Sequence, residues 1–228
     1  MKLSNKVLIG FFGFIFIYMI AAFTEIRFRG EARNFDKLNG IAESVGISGI
    51  RHLVLPDIGK RITIRGSDTS RIELRSISGS LLQKLKYNMI NDTLTLTDLQ
   101  LAEEDRHLNL TIYVSNRDFE GMTVNGAHVV IENLNQETLT ISQTSGRISM
   151  YKNSFLRKLN INASQKAKFN LRGVNLDTLS VLLDNSNVDI FSPIKRIEGS
   201  MNNNSYLVLR GADEIDFKKD ITSKLRMY

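Results

Sequence analysis

Short pairs of apolar residues recur along the C-terminal half of this 228-residue chain at a nearly constant spacing. From residue 119 onward, consecutive pairs begin 17, 20, 20, 18 and 18 residues apart. This first series comprises Met122/Val124, Leu139/Ile141, Leu159/Ile161, Leu179/Val181, Ile197/Gly199 and Ile215/Phe217. A period near 20 residues in β-type sequence is typical of a solenoid, in which each repeat forms one coil that stacks on the next.

A second series of apolar pairs lies between the members of the first. It comprises Val129/Ile131, Ile148/Met150, Phe169/Leu171, Val188/Ile190, Leu207/Leu209 and Leu225/Met227. A single apolar residue also precedes most first-series pairs by three positions, namely Phe119, Leu156, Leu176, Ile194 and Ala212. Gln136 stands at that place before Leu139. We therefore expect each coil to contain two short strands with about five inward side chains.

Strands about ten residues apart would also suit an antiparallel sandwich. The two kinds of corner differ, however. The corner before each second-series pair is small and polar, as at Ser145-Gly146 and Asn202-Asn203, whereas the other carries the single apolar residue. The sequence therefore resembles itself more closely at a shift of about 20 residues than at a shift of about 10 residues. This favours an all-β, right-handed β-helix of about six regular coils. We expect the corner asparagines to stack as a ladder whose side-chain amides satisfy backbone groups.

Alternating apolar residues also precede the repeat, and they predict less regular β-strands up to residue 114. The pairs there are Leu53/Leu55, Ile62/Ile64, Ile72/Leu74, Leu85/Tyr87 and Leu94/Leu96, followed by a longer alternation from residue 108. Open sheet edges need protection. We expect these strands to cover one end of the solenoid and the charged residues 213–228 to blunt the other.

Residues 7–23 form an uncharged apolar run of 17 residues that follows Lys2 and Lys6. This length is at the short end for a membrane-spanning helix, and we expect a transmembrane signal anchor there. A cleaved secretory signal is the alternative. The expected organisation is a cytoplasmic stub at 1–6, the anchor at 7–23, a juxtamembrane connector at 24–46 and a β-solenoid domain at 47–228.

The basic residues on the two sides of the apolar run favour opposite orientations across the membrane. Lys2 and Lys6 favour a cytoplasmic N-terminus, whereas Arg27, Arg29 and Arg33 follow the run. Because the leading segment is short and a large β domain follows, we expect the C-terminal domain to be exported.

Composition excludes several classes of site. The chain has no cysteine, so it can form neither a disulfide nor a thiolate metal site, and it lacks the attachment residue of a lipoprotein. Acidic and basic residues are mixed, and no aromatic-plus-basic motif accompanies them. We therefore interpret the formal net charge of +6 as a solvated surface rather than a nucleic-acid site. Nucleotide-binding and hydrolase motifs are absent from the sequence.

Candidate metal ligands are scattered. His52, His107 and His128 do not have the spacing of metal ligands. The acidic residues at 103–105 lack the alternating oxygen ligands of a dedicated Ca²⁺ loop. We expect no metal site and no cofactor.

Candidate catalytic residues are equally weak. Asp184, Asp189 and Glu198 are expected on neighbouring coils, where paired carboxylates could support glycoside hydrolysis. Any solenoid with this many acidic residues would show such pairs by chance, and the surrounding Lys and Arg residues have no evident pattern. The tyrosines form no evident stripe for stacking sugars. We therefore expect no catalytic residues and no enzyme.

Three stretches carry a family resemblance. They are IRHLVLPDIGKRITIRGSDTSRIELRS at 50–76, NDTLTLTDL at 91–99 and LNLTIYVSNRDFEGMTVNGAHVVIENL at 108–134. On these residues the chain resembles the putative auto-transporter adhesin head (head GIN) domain family of Bacteroidetes-type bacteria, over about residues 47–228. The family's function is unknown. The resemblance implies a β-helix-like domain behind an export segment and brings no catalytic residues.

The sequence and the resemblance together indicate a membrane-anchored module that binds, adheres or supports structure without catalysis. We expect an inner-membrane anchor with the β domain in the periplasm. The expected partners are the membrane, through the N-terminal helix, and an envelope glycan or protein, but not nucleic acid. Two alternatives stay open, namely a polymerising scaffold like the bactofilins and a polysaccharide-cleaving β-helix enzyme.

Overall fold

The computed structural model describes residues 11–21, 23–24, 40–77, 79–100, 108–151 and 153–228. The chain divides into two compact units, Met1–Leu38 and Asn39–Tyr228. In the first unit, residues 11–21, 23 and 24 are helical. Among the described residues, no helix has the length and apolar character that crossing a membrane requires. The remainder of the expected anchor, residues 7–10 and 22, and most of the expected connector lie outside the described residues.

The second unit is built from β-strands, as the alternating apolar patterns predict. Before the repeat the strands are β1 (Ile41–Gly46), β2 (His52–Pro56), β3 (Arg61–Ser67), β4 (Arg71–Ser76), β5 (Leu85–Ile90), β6 (Thr93–Leu99) and β7 (Leu108–Ser115). A short 3-10 helix, Leu82–Lys84, precedes β5. Within the repeat they are β8 (Gly121–Asn125), β9 (His128–Glu132), β10 (Asn135–Thr144), β11 (Arg147–Met150), β12 (Phe155–Ser164), β13 (Lys168–Arg172), β14 (Asn175–Asp184), β15 (Asn187–Phe191), β16 (Ile194–Asn202), β17 (Tyr206–Leu209), β18 (Ala212–Lys219) and β19 (Lys224–Met227).

These strands form two sheets. The ten-stranded sheet has the order β1-β4-β7-β3-β9-β11-β13-β15-β17-β19, and the nine-stranded sheet has the order β18-β16-β14-β12-β10-β8-β2-β6-β5. From β8 onward the chain alternates between the sheets, and each strand pairs in parallel with the strand two positions away in the chain. This topology confirms the solenoid over the sandwich, since a sandwich meander would pair consecutive strands antiparallel. Five complete turns link β8 to β18.

The register confirms most of the predicted stacking. Leu139 pairs with Leu159, Leu159 with Leu179, and Leu179 with Ile197. The prediction for the first coil was wrong, because Met122 pairs with Ile141 rather than with Leu139. This shift of two places Val124 beside Gln143, which is 1% exposed. The Gln143 side-chain N–H groups donate hydrogen bonds to the carbonyl oxygens of Ser145 and Lys168 at 3.1 and 3.2 Å. A polar residue held by backbone carbonyls therefore fills this core position, where the apolar pattern of the sequence is interrupted.

The two ends of the solenoid differ. At the N-terminal end, β2 and β3 pair in parallel with β8 and β9. β6 and β7 then extend the two sheets in parallel, and β5, β4 and β1 add antiparallel strands beyond them. The earlier strands therefore cover this end as expected. At the other end, residues 213–228 do not lie over the last coil as a cap but form it, as β18 and β19. Five of the eight residues of β18 are charged, which protects this exposed edge against pairing with another chain.

Serine hydroxyls, rather than asparagine amides, form the ladder at the polar corner. The backbone N–H of Ser186 donates to Oγ of Ser205, and that of Ser205 donates to Oγ of Ser223, each at 3.2 Å. All three serines are buried. Asn185 and Asn203 instead adopt positive φ angles of 49° and 56° and are exposed. Asparagine supplies the left-handed turn conformation here, while the shorter serine side chain fits the enclosed corner.

Candidate functional site

The outer surface of the ten-stranded sheet, which we call the basic face, is the candidate site. Along each strand one residue in two points into the core and the next points outward. Because the strands pair in register, equivalent outward positions line up across the sheet about 4.8 Å apart. The residues beside the second-series pairs therefore form continuous rows that run along the solenoid axis.

Three rows cross this face between β3 and β19. The basic row comprises Arg61, His128, Arg147, Lys168, Asn187, Tyr206 and Lys224. The middle row comprises Thr63, Val130, Ser149, Asn170, Asp189, Val208 and Arg226. The aromatic row comprises Arg65, Glu132, Tyr151, Arg172, Phe191, Arg210 and Tyr228.

The middle row is the floor of a shallow groove. Val130, Ser149 and Val208 face outward, yet they are only 6%, 5% and 6% exposed. The longer side chains of the two flanking rows cover them. Near the C-terminal end the groove contains a cavity of about 560 Å³, lined by Asp189, Phe191, Tyr206, Val208, Arg210 and Tyr228.

Positive charge dominates the three rows. They contain eight Arg or Lys residues, against the two acidic residues Glu132 and Asp189. Glu132 is paired within the face, since Arg65 donates to its carboxylate at 2.7 Å. Among the described residues, none of Arg147, Lys168 and Arg210 has a carboxylate within 4.0 Å. Strand pairing thus aligns basic residues that show no evident pattern along the sequence.

Aromatic rings lie beside the arginines of this face. The Arg172 guanidinium lies 5.0 Å from the ring centre of Phe191, and that of Arg226 lies 5.2 Å from Tyr228. In line with the aromatic row on the neighbouring strands, the Arg71 guanidinium lies 3.6 Å from the ring centre of Tyr113. Such cation–π contacts hold guanidinium groups in place while leaving their outer N–H groups available. The tyrosines thus take part in a stripe that their positions in the sequence did not suggest.

His128 reports on the electrostatic potential of the basic row. It pairs with Arg61 on one side and Arg147 on the other. Partial burial lowers the pKa of the His128 imidazole, and the positive charges of Arg147 and Arg61 lower it further. The imidazole is therefore neutral at neutral pH, and an anion bound between these arginines would favour its protonation.

The other candidate residues do not assemble into a site. Asp189 lies on the basic face, whereas Glu198 lies on the nine-stranded sheet. Asp184 accepts a hydrogen bond from the Asn203 amide, and Glu198 lies 3.4 Å from the Lys158 ammonium. The three carboxylates proposed for glycoside chemistry are thus not brought together. The Asp184 and Glu198 oxygens instead contact Asn203 and Lys158.

The histidines and acidic residues considered as metal ligands are likewise separate. Nε2 of His52 lies 3.3 Å from a Glu120 oxygen, and Arg51 pairs with the same carboxylate. The hydrogen bond from Arg51 lowers the pKa of Glu120. His107 and residues 103–105 lie outside the described residues. Within the part of the chain that the structure describes, no three potential ligands form a metal-binding group.

The sequence contained the signal for the basic face. Basic-row residues stand immediately before the first member of each second-series pair, as Arg147 and Lys168 do. Aromatic-row residues stand immediately after the second member, as Arg172 and Phe191 do. The same period that places the core therefore also places these side chains, but only once the outward positions are compared coil by coil.

Comparisons with known proteins identify the fold. No protein-family model matches the chain, and no curated protein matches it. A structure from Bacteroides fragilis described as a "putative adhesin" matches with a TM-score of 0.57 at 12% identity, over 82% of this chain and 96% of that one. A "putative adhesin" from Parabacteroides distasonis matches with a TM-score of 0.55 at 12% identity, over 82% and 92%.

A third solved structure has a different description. It is a "putative lipid binding protein" from Parabacteroides distasonis, with a TM-score of 0.53 at 10% identity, over 84% of this chain and 98% of that one. At these identities the likeness shows a shared fold. The chain thus shares the β-solenoid architecture of these solved structures, whose names are those of putative adhesins and of a putative lipid binding protein.

Proposed function

We propose that the β domain is a non-catalytic binding module of the bacterial cell envelope that contacts its ligand through the basic face. The observation that carries this proposal is the excess of positive charge in the three rows, in which only Arg65 pairs with a carboxylate among the described residues. These charges lie beside aromatic rings on a regular sheet. Solenoids commonly use such extended surfaces for binding. The scattered carboxylates and the names of the solved neighbours support a binding role over a catalytic one.

Membership of the head GIN domain family and display at the inner membrane belong to the same proposal. The resemblance of residues 47–228 supports the first. The apolar run at 7–23 with its preceding lysines supports the second, with the β domain in the periplasm. A reporter that is active only after export, fused behind Tyr228, tests this topology. Activity of a reporter that works only in the cytoplasm would contradict it.

Binding without turnover is the test of the functional class. The full-length protein is incubated with a panel of immobilised envelope polysaccharides and envelope proteins, and bound protein is quantified. We expect retention on at least one acidic ligand, with the ligand recovered at its original chain length. Shortening of a polysaccharide would instead support the β-helix enzyme. The Asp184→Asn and Asp189→Asn variants would then test the carboxylates.

End-to-end polymerisation is the remaining alternative, and the charged edge strand β18 opposes it. Stacking of two molecules would place Asp213, Glu214 and Asp216 against the exposed end of another copy. Electron microscopy of the purified protein distinguishes the two functions. Separate particles agree with a binding module, whereas filaments would support the scaffold.

A further inference from the structure

We propose that the groove of the basic face binds a linear polysaccharide that carries carboxylate groups, with the sugar chain lying along the solenoid axis. This inference deepens the proposed binding function and rests on it. It assigns the groove between the basic row and the aromatic row as the site, and it names the chemical class of the ligand.

The shape of the groove fits an extended polymer. Its floor crosses seven strands from β3 to β19, which corresponds to about 29 Å at the usual strand spacing. Positively charged side chains recur on both sides at multiples of this spacing, as Arg147 and Lys168 do in the basic row. A sugar unit in an extended chain is comparable in length to the strand spacing of about 4.8 Å. Successive acidic sugars would therefore meet successive strands.

The charged groups on the groove walls fit carboxylates. Arg172 and Arg210 are exposed and lie two strands apart in the aromatic row, with Phe191 between them. A guanidinium group binds a carboxylate through two parallel hydrogen bonds, and stacking on a ring fixes the plane of the fork. Asn170 on the floor is half-buried and offers its amide to sugar hydroxyls. Asp189 is the one acidic residue of the floor, and it stands against eight basic residues in the three rows. The net positive groove therefore suits an acidic, hydroxyl-rich chain.

Single-stranded nucleic acid is the other linear polyanion, and the aromatic row suits it less well. Binding of bases relies on free ring faces, but Arg172 lies over Phe191 and Arg71 lies over Tyr113. An anionic membrane surface suits the groove less well too. A bilayer has no linear order to match the rows, and the floor residues Val130 and Val208 are too buried to insert into lipid.

Fluorescence anisotropy of a labelled oligogalacturonate, titrated with the full-length protein, tests the inference. We expect binding that weakens as salt is added. Neutral galactan of the same length should not compete, whereas unlabelled oligogalacturonate should. The double variant Arg172→Gln/Arg210→Gln should lower the affinity about tenfold, which is the effect of losing two exposed charge contacts.

A matched variant separates the groove from the general charge of the protein. Arg196→Gln/Lys218→Gln removes the same net charge from the outer surface of the nine-stranded sheet, and it should leave the affinity within about twofold of the unmodified protein. Equal losses in both double variants would overturn the inference, since binding would then follow net charge alone. Tighter binding of a single-stranded DNA oligomer or of phosphatidylglycerol vesicles would overturn it as well.

The titration of His128, followed by NMR, is a second measurement. Oligogalacturonate bound in the groove should raise the pKa of His128, because its carboxylates offset the charges of Arg61 and Arg147. An unchanged His128 titration under saturating oligogalacturonate would place the ligand elsewhere and overturn the inference. If oligogalacturonate fails to bind while another envelope ligand is retained, the binding function stands and only this inference falls.

Discussion

The outer surfaces of the two sheets share one repeat and one set of coils, yet their side chains differ. On the nine-stranded sheet the outward rows are mostly threonine, serine and asparagine, for example Thr140, Asn160 and Ser180. Several charges on that surface are paired, as Lys158 with Glu198 at 3.4 Å and Arg196 with Glu214 at 3.7 Å. On the ten-stranded sheet the outward rows are rich in unpaired arginine and lysine. Because both surfaces cover the same core, the solenoid itself does not require the basic face.

A separate row of charged residues, which we call the corner row, shows an arrangement that stabilises the fold. Glu137, Arg157, Asp177, Lys195 and Asp213 follow one another along the corner of the coils with alternating sign. Arg157 lies 3.6 Å from Glu137, and Lys195 lies 2.7 Å from Asp177. Opposite charges on neighbouring strands stabilise a sheet, and like charges destabilise it. In the basic row Arg147 pairs with Lys168, and these adjacent like charges cost stability. That cost is an argument that binding maintains them.

The comparison of the two outer surfaces assumes that one hydrophobic core lies between the two sheets. Replacing a buried phenylalanine tests this assumption and should give the largest effect. Phe169 is fully buried on β13, between the outward residues Lys168 and Asn170. Phe169→Ala should lower the free energy of unfolding by about 3–5 kcal/mol, because it leaves a cavity. Urea denaturation measures the change.

The chain offers a matched control on the neighbouring coil. Phe155 begins β12 and is 49% exposed, so Phe155→Ala should lower the free energy of unfolding by less than about 1 kcal/mol. Similar losses in the two variants would mean that the core does not lie between the sheets where the register places it.

Charge reversal in the two kinds of row should have opposite effects. Arg147→Glu places an acid opposite Lys168 and replaces their repulsion by attraction, so it should raise the free energy of unfolding by about 0.5 kcal/mol. Arg157→Glu places an acid between Glu137 and Asp177 and should lower it by about 0.5 kcal/mol. Thermal unfolding at low salt would measure both.

The effect of Arg147→Glu on ligand binding should be opposite to its effect on stability. Arg147→Glu should weaken the retention of acidic polysaccharides although it stabilises the protein, whereas Arg157→Glu should leave retention unchanged. A loss of stability in Arg147→Glu would show that the like charges of the basic row do not repel, and the argument from their cost would be lost.

The inward half of this architecture could be predicted from the sequence, because burial selects apolar residues at a fixed period. The Leu159, Leu179 and Ile197 positions stack as the spacing predicts. The first coil could not be predicted in this way, since Gln143 is buried through hydrogen bonds to backbone carbonyls rather than through its hydrophobicity. The corner ladder was assigned to asparagine because turn propensity does not distinguish the residue that turns from the residue that stacks.

The candidate site was harder to predict, because outward positions have no common chemical type. Arg172 and Phe191 look unrelated in the sequence, and only the pairing of β13 with β15 makes them neighbours. Charge summed along the chain also hides the asymmetry, since the acids of the corner row and of β18 offset the basic face. The sequence alone did not show on which outer surface each charged side chain lies.

The smallest expected effect concerns the two histidines that lie on opposite surfaces, His128 on the basic face and His52 on the nine-stranded sheet. Burial and the charges of Arg147 and Arg61 lower the pKa of His128 in the folded protein. As the pH falls through the ordinary histidine pKa of about 6.5, the unfolded chain takes up a proton that the folded protein resists. Stability is therefore lost as the pH falls below this value.

His128→Gln should reduce the loss of stability between pH 7 and pH 5 in urea titrations, whereas His52→Gln should retain it. If His128→Gln leaves the pH dependence intact, the positive charges of Arg61 and Arg147 do not act on the His128 imidazole. The two surfaces would then differ in composition but not in electrostatic potential.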